Sequence, residues 1–217
     1  MSYNLYPHRF AGVERDIDHG LYEQARDKLA STVAAPVPPE ERAFAMILEA
    51  DIASRCAQFQ NAATIQQKVI SMPNLPAAVR AAAFMSHAYT LGYSGDIAHA
   101  CALFQKARRM FSIQRKRFLA AQCRLGSIDI CFYDEHANRT NPAHNSDLSC
   151  KLAALRRAVS VDSLMTASDK SILLSQICFR VAVLHWLARR WRKARTFFGM
   201  TAMVSRDYFT GVWALFG

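Results

Sequence analysis

The chain is predicted to be all-α, a stack of antiparallel helix pairs. Apolar residues recur at helical spacing along almost all of its 217 residues, with little period-two alternation. Alanine is abundant and only 8 glycines interrupt it, a balance that favours helix. One local pattern also returns: a turn, a bulky residue, then a small alanine three positions after the bulky one.

The elements follow in order. Gly20-Leu21-Tyr22, then Ala25 and Leu29, is the first copy of the pattern. Pro36, Pro38 and Pro39 ahead of Glu40-Glu41 signal a helix start, because proline is tolerated in a first turn and acids suit the positive helix end. Ala57-Gln58-Phe59 with Ala62 is the second copy, and its next position holds the polar Gln66. Asn74-Leu75-Pro76 announces a helix from Ala77. Ser94-Gly95-Asp96, Ile97, Ala100, Phe104 and Ala107 form the fullest copy. A degenerate pair comes next: a helix over 115–132, an inserted loop at about 133–147, and a helix over 147–160. Thr166-Ala167-Ser168-Asp169 offers capping side chains to a long apolar helix beginning near Ser171. Arg189-Arg190-Trp191, Ala194 and Phe198 complete the series.

The aligned alanines Ala25, Ala62, Ala100 and Ala194 are spaced by 37, 38 and 94 residues. A small residue lets two helices close to about 8–10 Å. No single pair can bury its apolar face, so the pairs must stack.

With these segments the chain resembles tetratricopeptide-repeat (TPR) and TPR-like proteins. The residues that carry the likeness are Tyr22/Ala25/Leu29, Phe59/Ala62, Ile97/Ala100/Phe104/Ala107 and Trp191/Ala194/Phe198. In the first helices Leu125-Gly126, Phe84 with Ala88, and Cys178 with Ala182 fill family positions, and Pro38 and Pro73 stand where the family often has proline. The 37–38-residue period departs from the family's 34, which favours the looser TPR-like members. The resemblance implies a short right-handed superhelix of about five pairs, one domain over 1–217, with first helices lining a concave groove. It implies a non-enzymatic protein-interaction module, an adaptor or the sensor part of a regulator, binding a peptide or helix. Groove positions would be Phe44, Asp51 and Arg55, then Met85 and Tyr89, then Trp186. Phe179 and Val183 also fall on that face, but core packing is the expectation for them.

Formal net charge is +10, unevenly spread. Residues 1–100 hold 8 basic and 10 acidic side chains, and 101–217 hold 19 and 7. The basic half points to an acidic partner: a protein, nucleic acid or anionic lipid. Its clusters are Arg108-Arg109, Arg115-Lys116-Arg117, Arg156-Arg157, and Arg189-Arg190 with Arg192, Lys193 and Arg195. Nucleic-acid association through them is the alternative function.

No Gly-rich phosphate loop or nucleophile–histidine–acid set is present, so neither catalysis nor a cofactor is expected. Cys131, Asp134, Glu135, His136, His144 and Asp147 are metal-ligand types without ligand spacing, and a polar surface loop is the expectation there. Six cysteines without a C-x-x-C pair suit a reducing, cytoplasmic setting. The apolar run Ile172–Ala188 is interrupted by Gln176, Arg180 and His185, so it is expected to be a buried helix and not a membrane span. The C-terminal segment 206–217 is rich in aromatics and suits self-association.

Overall fold

A computed structural model describes residues 7–132 and 142–204, and all regular structure among these residues is helical. Among the described residues a 3-10 turn at His8–Phe10 is followed by ten α-helices. They are α1 (Ala11–Asp18), α2 (Tyr22–Val33), α3 (Pro39–Arg55), α4 (Phe59–Ser71) and α5 (Ala77–Tyr93). Then follow α6 (Ile97–Ile113), α7 (Arg117–Phe132), α8 (Pro142–Val161), α9 (Ala167–Leu187) and α10 (Trp191–Val204). The contacts divide the chain into two compact units, 1–114 and 115–217.

The predicted start signals hold. Pro39 opens α3, with Glu40 and Glu41 in its first turn. Pro76 is the N-cap of α5. Asp96 caps α6 by accepting from the His99 amide at 3.3 Å. Thr166 caps α9 by accepting from the Asp169 amide at 3.1 Å. That cap starts the helix at Ala167, four residues before the predicted Ser171. Helix α8 begins at Pro142, so 142–147, expected as the end of an inserted loop, is helical. Residues 133–141 and 205–217, and with them most of the inserted loop and the apolar C-terminal segment, lie outside the described residues.

The joint inside each pair is one repeated local structure. Gly20, Ala57, Gly95 and Arg189 all adopt left-handed backbone, with φ of 74°, 60°, 94° and 55°. Each stands five residues before an aligned alanine. Each donates its amide to the carbonyl three residues back, and the following residue donates to the carbonyl five back. These bonds satisfy carbonyls that a helix end would otherwise leave unpaired. The next helix then opens on the bulky residue, Tyr22, Phe59, Ile97 or Trp191. Its first-turn bond runs from the aligned alanine to the residue after the turn. Ala25, Ala62 and Ala100 are completely buried and Ala194 nearly so.

In the first unit α1 packs on α2, α3 on α4 and α5 on α6, while α3 also meets both α1 and α5. Residues Ala50, Ala53, Ala62 and Ile65 form one small apolar cluster between α3 and α4. In the second unit α8 buries Leu148, Leu152, Leu155 and Val159 along one face, the helical spacing of a core stripe. Helix α9 contacts α7, α8 and α10. The Arg180 guanidinium on α9 forks onto Asp129 on α7 through Nε at 2.6 Å and a second nitrogen at 2.7 Å. Bidentate pairing of this kind adds direction as well as energy. By length and composition alone α9 could cross a membrane, but it carries this ion pair and the buried Gln176, which accepts from Gln122 at 2.9 Å.

The left-handed turns set a testable asymmetry. A side chain strains this backbone and glycine does not, by about 1 kcal/mol. A Cβ added at Gly95 would meet no other atom within 4 Å, so the cost there is one of backbone alone. Gly95→Ala should lower the urea unfolding free energy by about 1 kcal/mol, and Ala57→Gly should raise it by about 0.5 kcal/mol.

Candidate functional site

Counting back from each left-handed turn puts the first helices in register. Glu14, Asp51 and Tyr89 each precede their turn residue by six positions. Asp18, Arg55 and Tyr93 precede it by two, and each is the last residue of its helix. The two sets therefore form ladders across α1, α3 and α5 on one face of the first unit. Charges act between Glu14, Asp18, Asp51, Arg55 and Tyr93 across these helices. Burial raises the Glu14 carboxyl to about 7 against the opposing N-terminal charge, and the charges of Asp18 and Asp51 push the same way as burial. Burial likewise raises Asp51 to about 6, opposed by the Ser86 hydrogen bond and by Arg55. Desolvation is the largest influence on Arg55 and opposes its charge. Tyr93, Asp51, Asp18 and Tyr22 together outweigh it and hold the guanidinium above its ordinary value.

Behind Asp51 lies a buried polar network. The Ser86 hydroxyl donates to Asp51 Oδ1 at 2.5 Å. Gln66, completely buried on α4, donates through Nε2 to Ser86 Oγ at 2.7 Å and to Thr90 Oγ1 at 2.8 Å. Its Oε1 lies 2.9 Å from His87 Nδ1. With both Gln66 amide hydrogens engaged, Oε1 accepts and His87 Nδ1 carries the proton. Burial pushes the His87 pKa down, which keeps the ring neutral. The network ties α3, α4 and α5 together and ends at a carboxylate on the ladder face.

Of the predicted groove residues, Asp51, Arg55, Met85 and Tyr89 belong to this one unit, with Arg55 exposed and the other three half-buried. Tyr89 packs edge-on against Phe104 at 4.8 Å and stacks on Tyr93 at 6.0 Å. Phe44 is a correction: it is 4% exposed, a core side chain, because its position on α3 turns inward with Ala43, Ile47 and Leu48. Trp186 lies in the second unit, 43% exposed, with Trp191 edge-on at 6.1 Å.

The predicted basic residues occupy separate turns and helices. Arg108 is half-buried and Arg109 exposed on α6. Arg115, Lys116 and Arg117 are exposed at the start of α7, where Arg117 lies 3.6 Å from Asp162. Arg189, Arg190, Arg192 and Lys193 are exposed around the α9–α10 turn. Lys193 and Arg190 add to burial in lowering the His185 pKa. Of the predicted loop, His144 and Asp147 lie on α8, and Asp147 pairs with Lys151 at 2.6 Å. Among the described residues no three of His, Cys, Asp and Glu are placed to hold a metal ion.

Sequence reasoning missed Glu14, Asp18 and Tyr93, and the Gln66–Ser86–His87–Thr90 network. The ladder had a readable signal, since Glu14, Asp51 and Tyr89 repeat at the same 37 and 38 residues as the alanines. The network had one as well, in the single polar residue at a position that elsewhere is bulky and apolar.

No protein-family model and no curated protein matches the chain. Among solved structures, the crystal structure of BtubC (BKLC) from P. vanneervenii aligns over 97% of this chain and 93% of its own, at 11% identity and a TM-score of 0.32. A likeness that loose carries no argument about fold or function.

Two predictions arise from this face. The folded chain holds protons on Glu14 and Asp51 that the unfolded chain releases above about 4.5 and 3.8. Those two groups therefore make stability fall as pH rises from about 4 to about 7, whereas His87 acts oppositely below about 6.5. Glu14→Gln should flatten that fall and raise stability at pH 8 by about 1–3 kcal/mol in urea titrations. At the network, Gln66→Leu leaves the His87 Nδ1 proton unpaired and should cost about 1–3 kcal/mol. Adding His87→Leu should recover a large part of that loss in a double-mutant cycle.

Proposed function

We propose that the chain is a non-catalytic, TPR-like interaction module of about five helix pairs. It takes an extended or helical partner segment across α1, α3 and α5. The observation that carries this reading is the double ladder, Glu14/Asp51/Tyr89 beside Asp18/Arg55/Tyr93, on the face where helices one pair apart meet. Packing alone has no use for carboxylates that burial drives up in pKa. A surface that binds a polar segment does, because the segment can bring a counter-charge to such groups.

The chemistry of the face narrows the partner. Two carboxylates, Asp51 and Asp18, act on the Arg55 guanidinium, and Tyr22, Tyr89, Tyr93 and Met85 supply aromatic and adaptable contact. The segment proposed here carries a cationic side chain for Asp51, and a carboxylate or backbone carbonyl for Arg55. The acidic partner that the net charge suggests would belong to the second unit, where residues 115–217 hold 16 basic and 7 acidic side chains. A role as adaptor or as the sensing part of a regulator suits such a module.

The test is affinity capture from nuclease-treated extract with mass spectrometry, comparing the wild type with Arg55→Glu and Tyr93→Ala. A discrete set of proteins should be retained by the wild type and reduced at least about tenfold by either variant. Recovery of the same proteins by all three chains would refute the ladder as the site. Recovery of polynucleotide alone from untreated extract would favour the basic clusters instead.

A further inference from the structure

At one end of the second unit three elements meet. Arg115 and Lys116 lead into α7, which opens on Arg117. Arg117 lies 3.6 Å from Asp162, the residue just past the end of α8. Lys170, in the first turn of α9, donates to the Ser160 carbonyl at the same end of α8, at 3.5 Å. Asp162 also holds the turn between α8 and α9. Its Oδ1 accepts the Leu164 amide at 3.0 Å, and its carbonyl accepts the Met165 amide at 3.4 Å.

Burial sorts the apolar residues of this turn into two sets. Val159 and Met165 belong to the core, whereas Val161 and Leu164 are 80% and 70% exposed. Among the described residues of the second unit no other large apolar side chain is as open. The exposed charges around the two aliphatics are of one sign. Arg115, Lys116 and Arg117 are exposed, and so is Arg157, one turn before Val161 on α8. The only acids within 115–117 and 156–170 are Asp162 and Asp169, and both are half-buried.

We infer that this end of the second unit docks on an anionic lipid bilayer, with Val161 and Leu164 entering below the headgroups and the cations lying among the lipid phosphates. The inference does not rest on the proposed role of the first unit. A bilayer changes chemistry with depth in the order this end requires, anionic at the surface and hydrocarbon beneath. The phosphates of a nucleic acid would engage the cations and leave both aliphatics in water. Two side chains on a turn are also far short of the roughly 800 Å² that a stable protein interface takes from each partner. A bilayer asks for no complementary shape. A small apolar insert or a basic patch alone holds a protein weakly, and the two signals together anchor it.

The test is co-sedimentation of the full-length chain with vesicles of phosphatidylglycerol and phosphatidylcholine, against vesicles of phosphatidylcholine alone. The chain should bind the anionic vesicles at least about tenfold more tightly. Val161→Ser with Leu164→Ser, and separately Lys116→Glu with Arg157→Glu, should each weaken that binding about tenfold or more. All four positions are exposed, and an unchanged far-ultraviolet circular dichroism spectrum checks that each variant is folded. Equal binding to the two kinds of vesicle, or binding to neither, would overturn the inference. So would a loss seen with the charge variant alone, since the aliphatics would then not enter the bilayer. Retention of polynucleotide by the wild type and the serine variant, with no vesicle binding, would assign this end to nucleic acid instead.

Discussion

The structure depends on one constraint, the close crossing of two helices over a buried alanine just beyond a left-handed turn. At Gly20, Ala57, Gly95 and Arg189 the chain reverses with the same pair of backbone bonds. Five residues later Ala25, Ala62, Ala100 or Ala194 lies at the contact. The turn fixes where one helix ends and the next begins, and the small side chain fixes how near they lie. Two of the four turns use residues other than glycine. The turn is thus held by its hydrogen bonds and by the packing that follows, and the strain of a Cβ there is small enough to be absorbed.

Because the turn recurs in register, so do the positions counted from it, and the chain fills equivalent positions with different chemistry. In the first unit these positions are polar. Asp51 and Gln66 meet Ser86, His87 and Thr90 in a network whose members satisfy one another. In a low-dielectric interior such a network holds a unique arrangement, because shifting a helix by one residue would strand several buried polar groups at once. In the second unit the equivalent positions hold Val183 and Phe198, which impose no such register. There the Asp129–Arg180 fork supplies direction between α7 and α9. One backbone plan therefore carries a polar, specific seam in one unit and an apolar face in the other.

Much of this was legible beforehand. The all-helical class, the helix starts at Pro39 and Ala77, the capping side chains at Thr166–Asp169, and the aligned alanines were readable because each is a local effect. Capping, proline geometry and alanine packing act within about one turn of helix. Residues with a local and a long-range reading were harder. Phe44 was expected on a groove by helical position, yet three inward neighbours carry it into the core. The start of α9 moved from Ser171 to Ala167 because the Thr166 cap outweighs the weak apolar pattern of the first turn. Gln66 read as a flaw in the repeat and is the centre of the buried network.

By itself the sequence determined the local joints: which residues turn, which open a helix and which are small enough to be crossed. These are set by backbone sterics and by hydrogen bonds between residues at most five apart. Only the tertiary structure decided which polar groups meet, because Asp51, Gln66 and Ser86 come together across 15 to 35 residues of chain. It also decided which apolar groups stay open, because Ser54 and Trp186 occupy the same place in the turn-by-turn pattern. They differ in burial, Ser54 6% exposed and Trp186 43%. Burial belongs to the neighbours a residue acquires, and with it come the raised carboxyls of Glu14 and Asp51 and the exposure of the two tryptophans.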